Sequence, residues 1–204
     1  MKLDLDSYRT IARAQLGDSR YAHTLAVARL AGELAEKYGA DAEAAKAAGL
    51  LHDVTKEVPH DAQLQIVQKS DIIVDAYLLA NPNVYHSLTG YLYARDTIQI
   101  QDPDILNAIR YPTTGRADMS LLEKIVYTAD AVGYDRTYPD AAKLRELAFR
   151  DIDACMLEIL EFTIVKLLKT RAVIAMDTFY CYDWLCLDSP HKRGSHDRSP
   201  GEVQ

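Results

Sequence analysis

Cysteine, glycine, proline and tryptophan are all scarce in this chain, and each shortage removes a class of protein. The three cysteines, Cys155, Cys181 and Cys186, are odd in number, widely placed and absent from every polar cluster considered below. A disulfide scaffold and a four-thiolate zinc site are therefore not expected, and a reducing, cytoplasmic compartment is. Nine glycines and seven prolines among 204 residues, beside a hydrophobic fraction of 49%, argue against a disordered or low-complexity chain. Long hydrophobic runs are missing too, since no segment approaches the roughly 20 apolar residues that crossing a bilayer requires. The opening MKLDLDSYRT places acids where a signal peptide carries a basic region. A soluble protein with no membrane partner is the expectation. Positive charge is also in deficit, 23 Lys and Arg against 30 Asp and Glu, for a formal charge of -7. A nucleic-acid polymer is thus not the expected partner, although a local basic pocket is allowed.

What the chain does hold is helix after helix, on a length that can bury a core without a metal or disulfide staple. Asp18 or Ser19 can cap a long helix in which Val27, Leu30 and Leu34 recur at spacings of three and four, and Gly39 can supply its left-handed exit. Asp41 caps the next segment, DAEAAKAAGLLHD, whose alanines and leucines suit close packing and which is predicted to end near Asp53. Weaker helical patterns cover 60–68 and 71–79. Asn81-Pro82-Asn83 marks a turn before YHSLTGYLYARD, and Asp102-Pro103 opens another helix. RYPTTGRADMS reads as a loop. Ser120 and Glu123 form a capping-box pattern ahead of Ile125, Val126 and Ala129, with the helix ending near Gly133. From Leu144 through ACMLEILEFTIVKLLKTRAVIAM the periodicity predicts one or two packed helices. The expectation is an all-α single domain over residues 1–187, followed by a polar tail over 188–204.

Of six histidines, two lie in that tail. His52-Asp53 closes an apolar helix with an imidazole and a carboxylate that can both turn towards one metal. Read alone, the pair is equally a helix end with a surface acid. His23 on the preceding long helix and Asp130 on a later one stand in apolar-periodic settings, where a burial-averse side chain needs a partner. Together the four can form a rigid cage with open positions, suited to octahedral iron, manganese, cobalt or magnesium. Such an ion would lower the pKa of water, neutralise phosphoryl oxygens and orient a nucleophile. Lys56 and Arg20 lie close in sequence to these ligands and can meet phosphate or an acid. Arg110 and Arg116 bracket Thr113-Thr114-Gly115, whose amides, hydroxyls and guanidinium groups are complementary to phosphate. The plain alternatives are solvated charges and an ordinary helix connection. Thirteen tyrosines leave base stacking unassigned, and FYCYDWLCL can serve as core, homodimer surface or cap.

At this point the residues resemble a family. RYAHTLAVARLAGELAEKYGADAEAAKAAGLLHDVTK looks like the opening of the HD-domain metal phosphohydrolases, and in particular of their YqeK-type branch, the symmetrical bis(5'-nucleosyl)-tetraphosphatases. LLANPNVYHSLTG, ILNAIRYPTTGRADMSLLEKIVYTAD and the turn containing Arg136 resemble the same branch in the same order. The resemblance implies an HD-domain helical bundle with His23, His52, Asp53 and Asp130 as metal ligands and His86 as a further ligand or phosphate contact. It implies one or two divalent ions, Fe2+ first, then Mn2+ or Co2+, and diadenosine tetraphosphate cleaved to two ADP. Asp53, Lys56 and Arg136 would be the catalytic residues. Substrate would be met by Arg20, Lys56, His86, Arg110, Thr113, Thr114, Gly115, Arg116 and Arg136. Four departures stand beside these matches: Pro112 where the branch has histidine, Ser87 and Gly133 where it commonly has glycine and glutamate, and Ala175-Met176 where it often has His-Pro. They leave open a single-metal enzyme, a nucleotide monophosphatase, a degenerate nucleotide-binding or regulatory homologue, and a partner-binding helical domain.

Overall fold

The computed structural model describes residues 3–74 and 76–188, and among them every regular element is helical. The expected polar tail falls almost wholly on residues 189–204, outside those described. The described chain opens with three helices, α1 (Leu5–Gln15), α2 (Asp18–Tyr38) and α3 (Ala42–Leu51). Alanine is why α2 and α3 lie so close. Ala28, Ala31 and Ala35 on one helix and Ala44, Ala45 and Ala48 on the other are all buried. Gly49 completes the approach, because a Cβ there would stand 2.7 Å from the Cα of Ala28. Gly39 exits α2 at φ 75, and Asp41 accepts from the backbone N–H groups of Glu43 and Ala44. Both are local signals that the sequence carries. The start of α2 differs from expectation. Gly17, not Asp18 or Ser19, is the cap residue, and its N–H donates to Glu57 Oε2 at 2.9 Å, so a side chain distant in sequence replaces a local cap.

The middle of the chain is α4 (His60–Lys69), α5 (Ala76–Leu79), a 3-10 turn at Pro82–Val84, α6 (Tyr85–Leu92) and a wide turn at Tyr93–Thr97. The helical pattern over 71–79 survives only in α5. Ser70 Oγ accepts from the N–H of Ile72, turning the chain, and Arg95 holds Asp71 at 2.9 Å. Then come α7 (Pro103–Arg110) and α8 (Leu121–Val132), the first capped by Asp102, the second by the reciprocal Ser120–Glu123 box. Helix α8 packs on α2, α3 and α7 at once. Leu30, Leu34, Leu50, Leu51, Ile109 and Ile125 fill the junction. The long apolar stretch resolves into two helices, α9 (Ala141–Ala148) and α10 (Ile152–Thr170), and α11 (Met176–Asp188) follows it. Of FYCYDWLCL, Cys181 and Leu185 are buried whereas Tyr180, Trp184 and Leu187 face outward, and all three cysteines are free thiols.

Candidate metal centre

Three helices deliver the site. His23 lies on α2, His52 follows α3, and Asp130 is near the end of α8, so the packing of α8 onto the α2–α3 pair brings them together. Beyond Leu51 the chain stays tightly wound, with Val54 N–H donating to Leu51 and Lys56 N–H to Asp53. That continuation places His52, Asp53 and Lys56 on successive short turns. One donor atom from each of His23, His52 and Asp130 lies within 4.8 Å of the others. Asp53 joins them, its Oδ2 3.5 Å from His52 Nε2 and 4.0 Å from His23 Nε2. His86, from α6, sets Nε2 3.5 Å from Asp53 Oδ1.

Two of the imidazoles, His52 and His23, are oriented from behind. His52 Nδ1 faces the Gly49 carbonyl at 2.8 Å, which fixes that nitrogen as the donor and leaves Nε2 aimed into the cluster. His52 Nε2 is buried and has no hydrogen-bond partner. An orphaned, buried nitrogen between two carboxylates is what a cation-binding pocket requires, so the donor set fits a divalent ion. His23 Nδ1 faces Asp135 Oδ2 at 2.7 Å while Nε2 meets Asp130 Oδ1 at 3.0 Å. Asp135 thereby holds its ring as carboxylates commonly hold metal-binding histidines.

The electrostatics are those of an acid-rich pocket. Burial opposes a charge on His52, but Asp53 and Asp130 outweigh it and push its pKa up to about 9. Burial would raise Asp130, yet the hydrogen bond from His23 and the nearby His52 bring it to about 2. Asp53 is held well below the usual carboxylate range, its desolvation overcome by His52, His86 and Lys56. His86 goes the other way, to about 4, because it is desolvated and faces Lys56. Burial likewise lowers Lys56.

The remaining residues singled out in the sequence separate into two groups. Arg20 donates to Asp53 Oδ2 at 3.0 Å, Lys56 Nζ lies 3.1 Å from both His86 ring nitrogens, and Arg136 bonds the carboxylate and carbonyl of Asp130 at 2.8 and 2.9 Å. Thr113 Oγ1 reaches His86 Nε2 at 3.1 Å. These line the cluster. The others do not touch it. Arg116 is bound to buried Glu123 at 2.7 Å, Arg110 stacks against Tyr91 and Tyr111, and Thr114 donates to the Gly115 carbonyl. Gly115, at φ 65, sits against Cys181.

Two of the sequence departures acquire physical content. Ser87 Oγ contacts both Thr113 Oγ1 and His86 Nε2, at 3.0 and 3.3 Å, so two hydroxyls meet one nitrogen of the His86 ring, one of them from the residue that follows the buried Pro112. A Cβ at Gly133 would meet Asp135 Oδ1 at 2.7 Å. A side chain there and the observed Asp135 position exclude one another. Asp135 is the contact that sequence reasoning missed; its only signal was an acid in AVGYDR, in a turn where no periodicity predicts direction.

Comparison with known proteins places this geometry among relatives. The model of the HD domain family matches residues 20–135. A Bacillus subtilis (strain 168) protein named symmetrical bis(5'-nucleosyl)-tetraphosphatase is 38% identical over 174 residues, spanning 85% of this chain and 92% of that protein. A Halalkalibacterium halodurans protein of the same name is 34% identical over 178 residues, with 87% and 95% covered. The crystal structure of a Clostridium acetobutylicum protein, described as a predicted HD superfamily hydrolase involved in NAD metabolism, superposes with a TM-score of 0.89 at 32% identity, covering 93% of this chain and all of that one.

Proposed function

The chain belongs to the HD domain family, and from that membership we propose that it is a metal-dependent phosphohydrolase cleaving dinucleoside tetraphosphates, diadenosine tetraphosphate first, at the middle of the phosphate chain. Two nucleoside diphosphates are then the products. The observation that carries the reading is the buried, unpartnered His52 Nε2 facing Asp53 and Asp130, together with relatives that bear this activity in their names. His23, His52, Asp53 and Asp130 are the proposed ligands, with Fe2+ the first choice and Mn2+ or Co2+ alternatives. When bound, a divalent ion supplies charge neutralisation at the phosphoryl oxygens and a lowered pKa for water.

The protein's own groups do the rest. Arg20 fixes Asp53 by donating to its Oδ2, and Asp53 orients water beside the phosphorus under attack. Lys56 and Arg136 stand on different partners, His86 and Asp130, and bracket the reacting phosphates with positive charge. His86 and Thr113 offer hydrogen bonds to phosphoryl oxygens from the remaining wall. Arg110, Thr114, Gly115 and Arg116 shape the loop that presents Thr113; Arg116 does so through its bond to Glu123. Residues up to 187 act as one domain in this reading.

Turnover of a phosphate panel tests it. Purified protein stripped of metal and reloaded with one ion at a time should cleave diadenosine tetraphosphate in preference to nucleoside monophosphates. A preference for monophosphates, with the tetraphosphate untouched, would replace this reading with a nucleotide monophosphatase.

A further inference from the structure

Beside the metal cluster, and separate from it, the protein has a cleft of about 540 Å3 between the end of α8, α9 and α10. None of His23, His52, Asp53, His86 or Asp130 lines it. Arg136 belongs to both places: it forms one wall of the cleft, and its guanidinium bonds the Asp130 carboxylate. The rim carries Lys143, Arg150 and Lys166, all exposed, and among the described residues no ion pair engages any of them. With Arg136 that makes four cations, against the two carboxylates of Asp140 and Glu158. A local excess of positive charge in a chain whose formal charge is -7 needs a reason. The floor is apolar, with Leu144, Leu147 and Ile159, and two aromatic rings stand at the edge, Tyr138 at 40% and Phe162 at 70% exposure. Tyr138 is held in place by donating its hydroxyl to the Ala131 carbonyl at 2.9 Å.

Apolar floor, exposed rings and unpaired cations are the complement of a nucleoside carrying phosphates: rings and aliphatic surface for the base, ammonium and guanidinium groups for the phosphates. The volume falls within the range of roughly 300–1,000 Å3 typical of small-molecule sites. A substrate cut at its centre has two equal halves, and both must lie somewhere when the middle of its phosphate chain is at the metal. Arg20, Lys56 and Thr113 meet the cluster at Asp53 and His86, whereas Arg136 meets it at Asp130 and also lines the cleft.

We infer that the α9–α10 cleft is the subsite for the second nucleoside diphosphate half of the dinucleoside polyphosphate, with Arg136 as the bridge between it and the metal. The inference rests on the hydrolase reading above and adds to it where the second nucleotide sits.

The test uses the full chain, metal-loaded, with Lys143→Glu/Lys166→Glu as the variant and Lys169→Glu, an exposed residue outside the cleft, as the control. Wild type and control should bind two ADP per chain by calorimetry and the double variant one. The KM for diadenosine tetraphosphate should rise about tenfold or more in the double variant alone, the scale of losing one or two charge-assisted contacts. Thermal melting and retained metal uptake establish that the double variant is folded. One ADP per wild-type chain would overturn the inference, and so would a second ADP that the variant still binds. Loss of the second ADP with an unchanged KM would also overturn it, since the cleft would then hold an effector rather than substrate. Absence of any tetraphosphate turnover by wild type is a different result. It strikes the hydrolase reading, and the ADP stoichiometry still decides whether the cleft binds a nucleotide.

Discussion

Asp135 acts on the metal centre without being one of its proposed ligands. Its carboxylate faces His23 Nδ1 at 2.7 Å and so keeps Nε2 directed at the cluster. Asp135→Asn keeps the shape but removes the charge, and metal affinity should fall ~10–100-fold, as for other carboxylates that support a metal-binding histidine. Chelator competition measures it; unchanged affinity would show that the contact is incidental. His52, His86 and Lys56 set a pH dependence in the metal-free protein. His52 has a folded pKa of about 9 against an ordinary 6.5, so its contribution is fully present below 6.5 and is lost as pH rises towards 9. His86, at about 4, contributes above 6.5 and loses its part as pH falls to 4. Lys56, held below 10.5, opposes His52 only at the alkaline end. Thermal stability without metal should therefore peak near pH 6.5, and stabilisation by added metal, which needs neutral His52, should grow from there towards pH 9. A metal-free protein most stable at pH 9 would contradict this assignment. Sequence made His23, His52, Asp53 and Asp130 legible because polar residues in apolar periodic patterns announce a partner. Asp135 and Ser87 gave no such sign, since a turn and a helix neighbour carry no direction until packed.

At the scale of elements, the α2–α3 contact controls the distance between two of the proposed ligands, His23 and His52. Gly49→Ala would push a Cβ to 2.7 Å from the Ala28 Cα, backbone against side chain, with no flexible group to yield. We expect a loss of about 1–3 kcal/mol, the usual cost of overpacking a tight core. Metal affinity should drop with it. Melting temperature and metal titration read the two effects, and a variant as stable as wild type would mean the helices separate freely. Caps were the most legible part of the elements. Asp41, Asp102 and Ser120 each bond a backbone N–H two or three residues away, a range that sequence spacing can carry. The start of α2 was not, because Glu57 reaches Gly17 across forty positions. Nor was the turn after Ser70, where a serine hydroxyl and the Arg95–Asp71 pair override helical spacing.

Across the whole molecule, an apolar helical scaffold brings a small polar cluster from three distant segments to one point. The fold class was legible from periodicity; the convergence of α2, α3 and α8 was carried by the family resemblance and the packing, because no local pattern says which helices touch. Net charge of -7 would repel a polyphosphate, so the proposed activity requires local cations, and Arg20, Lys56 and Arg136 at the cluster and the basic rim of the cleft are the ones proposed to receive it. The central claim is the place of bond cleavage, and product analysis reads it directly. Diadenosine tetraphosphate incubated with iron(II)-, manganese(II)- or cobalt(II)-loaded protein, with Asp53→Ala as control, should give ADP as the sole nucleotide product, at a rate lost on metal removal and at least a hundredfold lower in the variant, on the scale of removing a catalytic group. ATP and AMP in equal amounts, or no turnover by folded and metal-loaded protein, would contradict it.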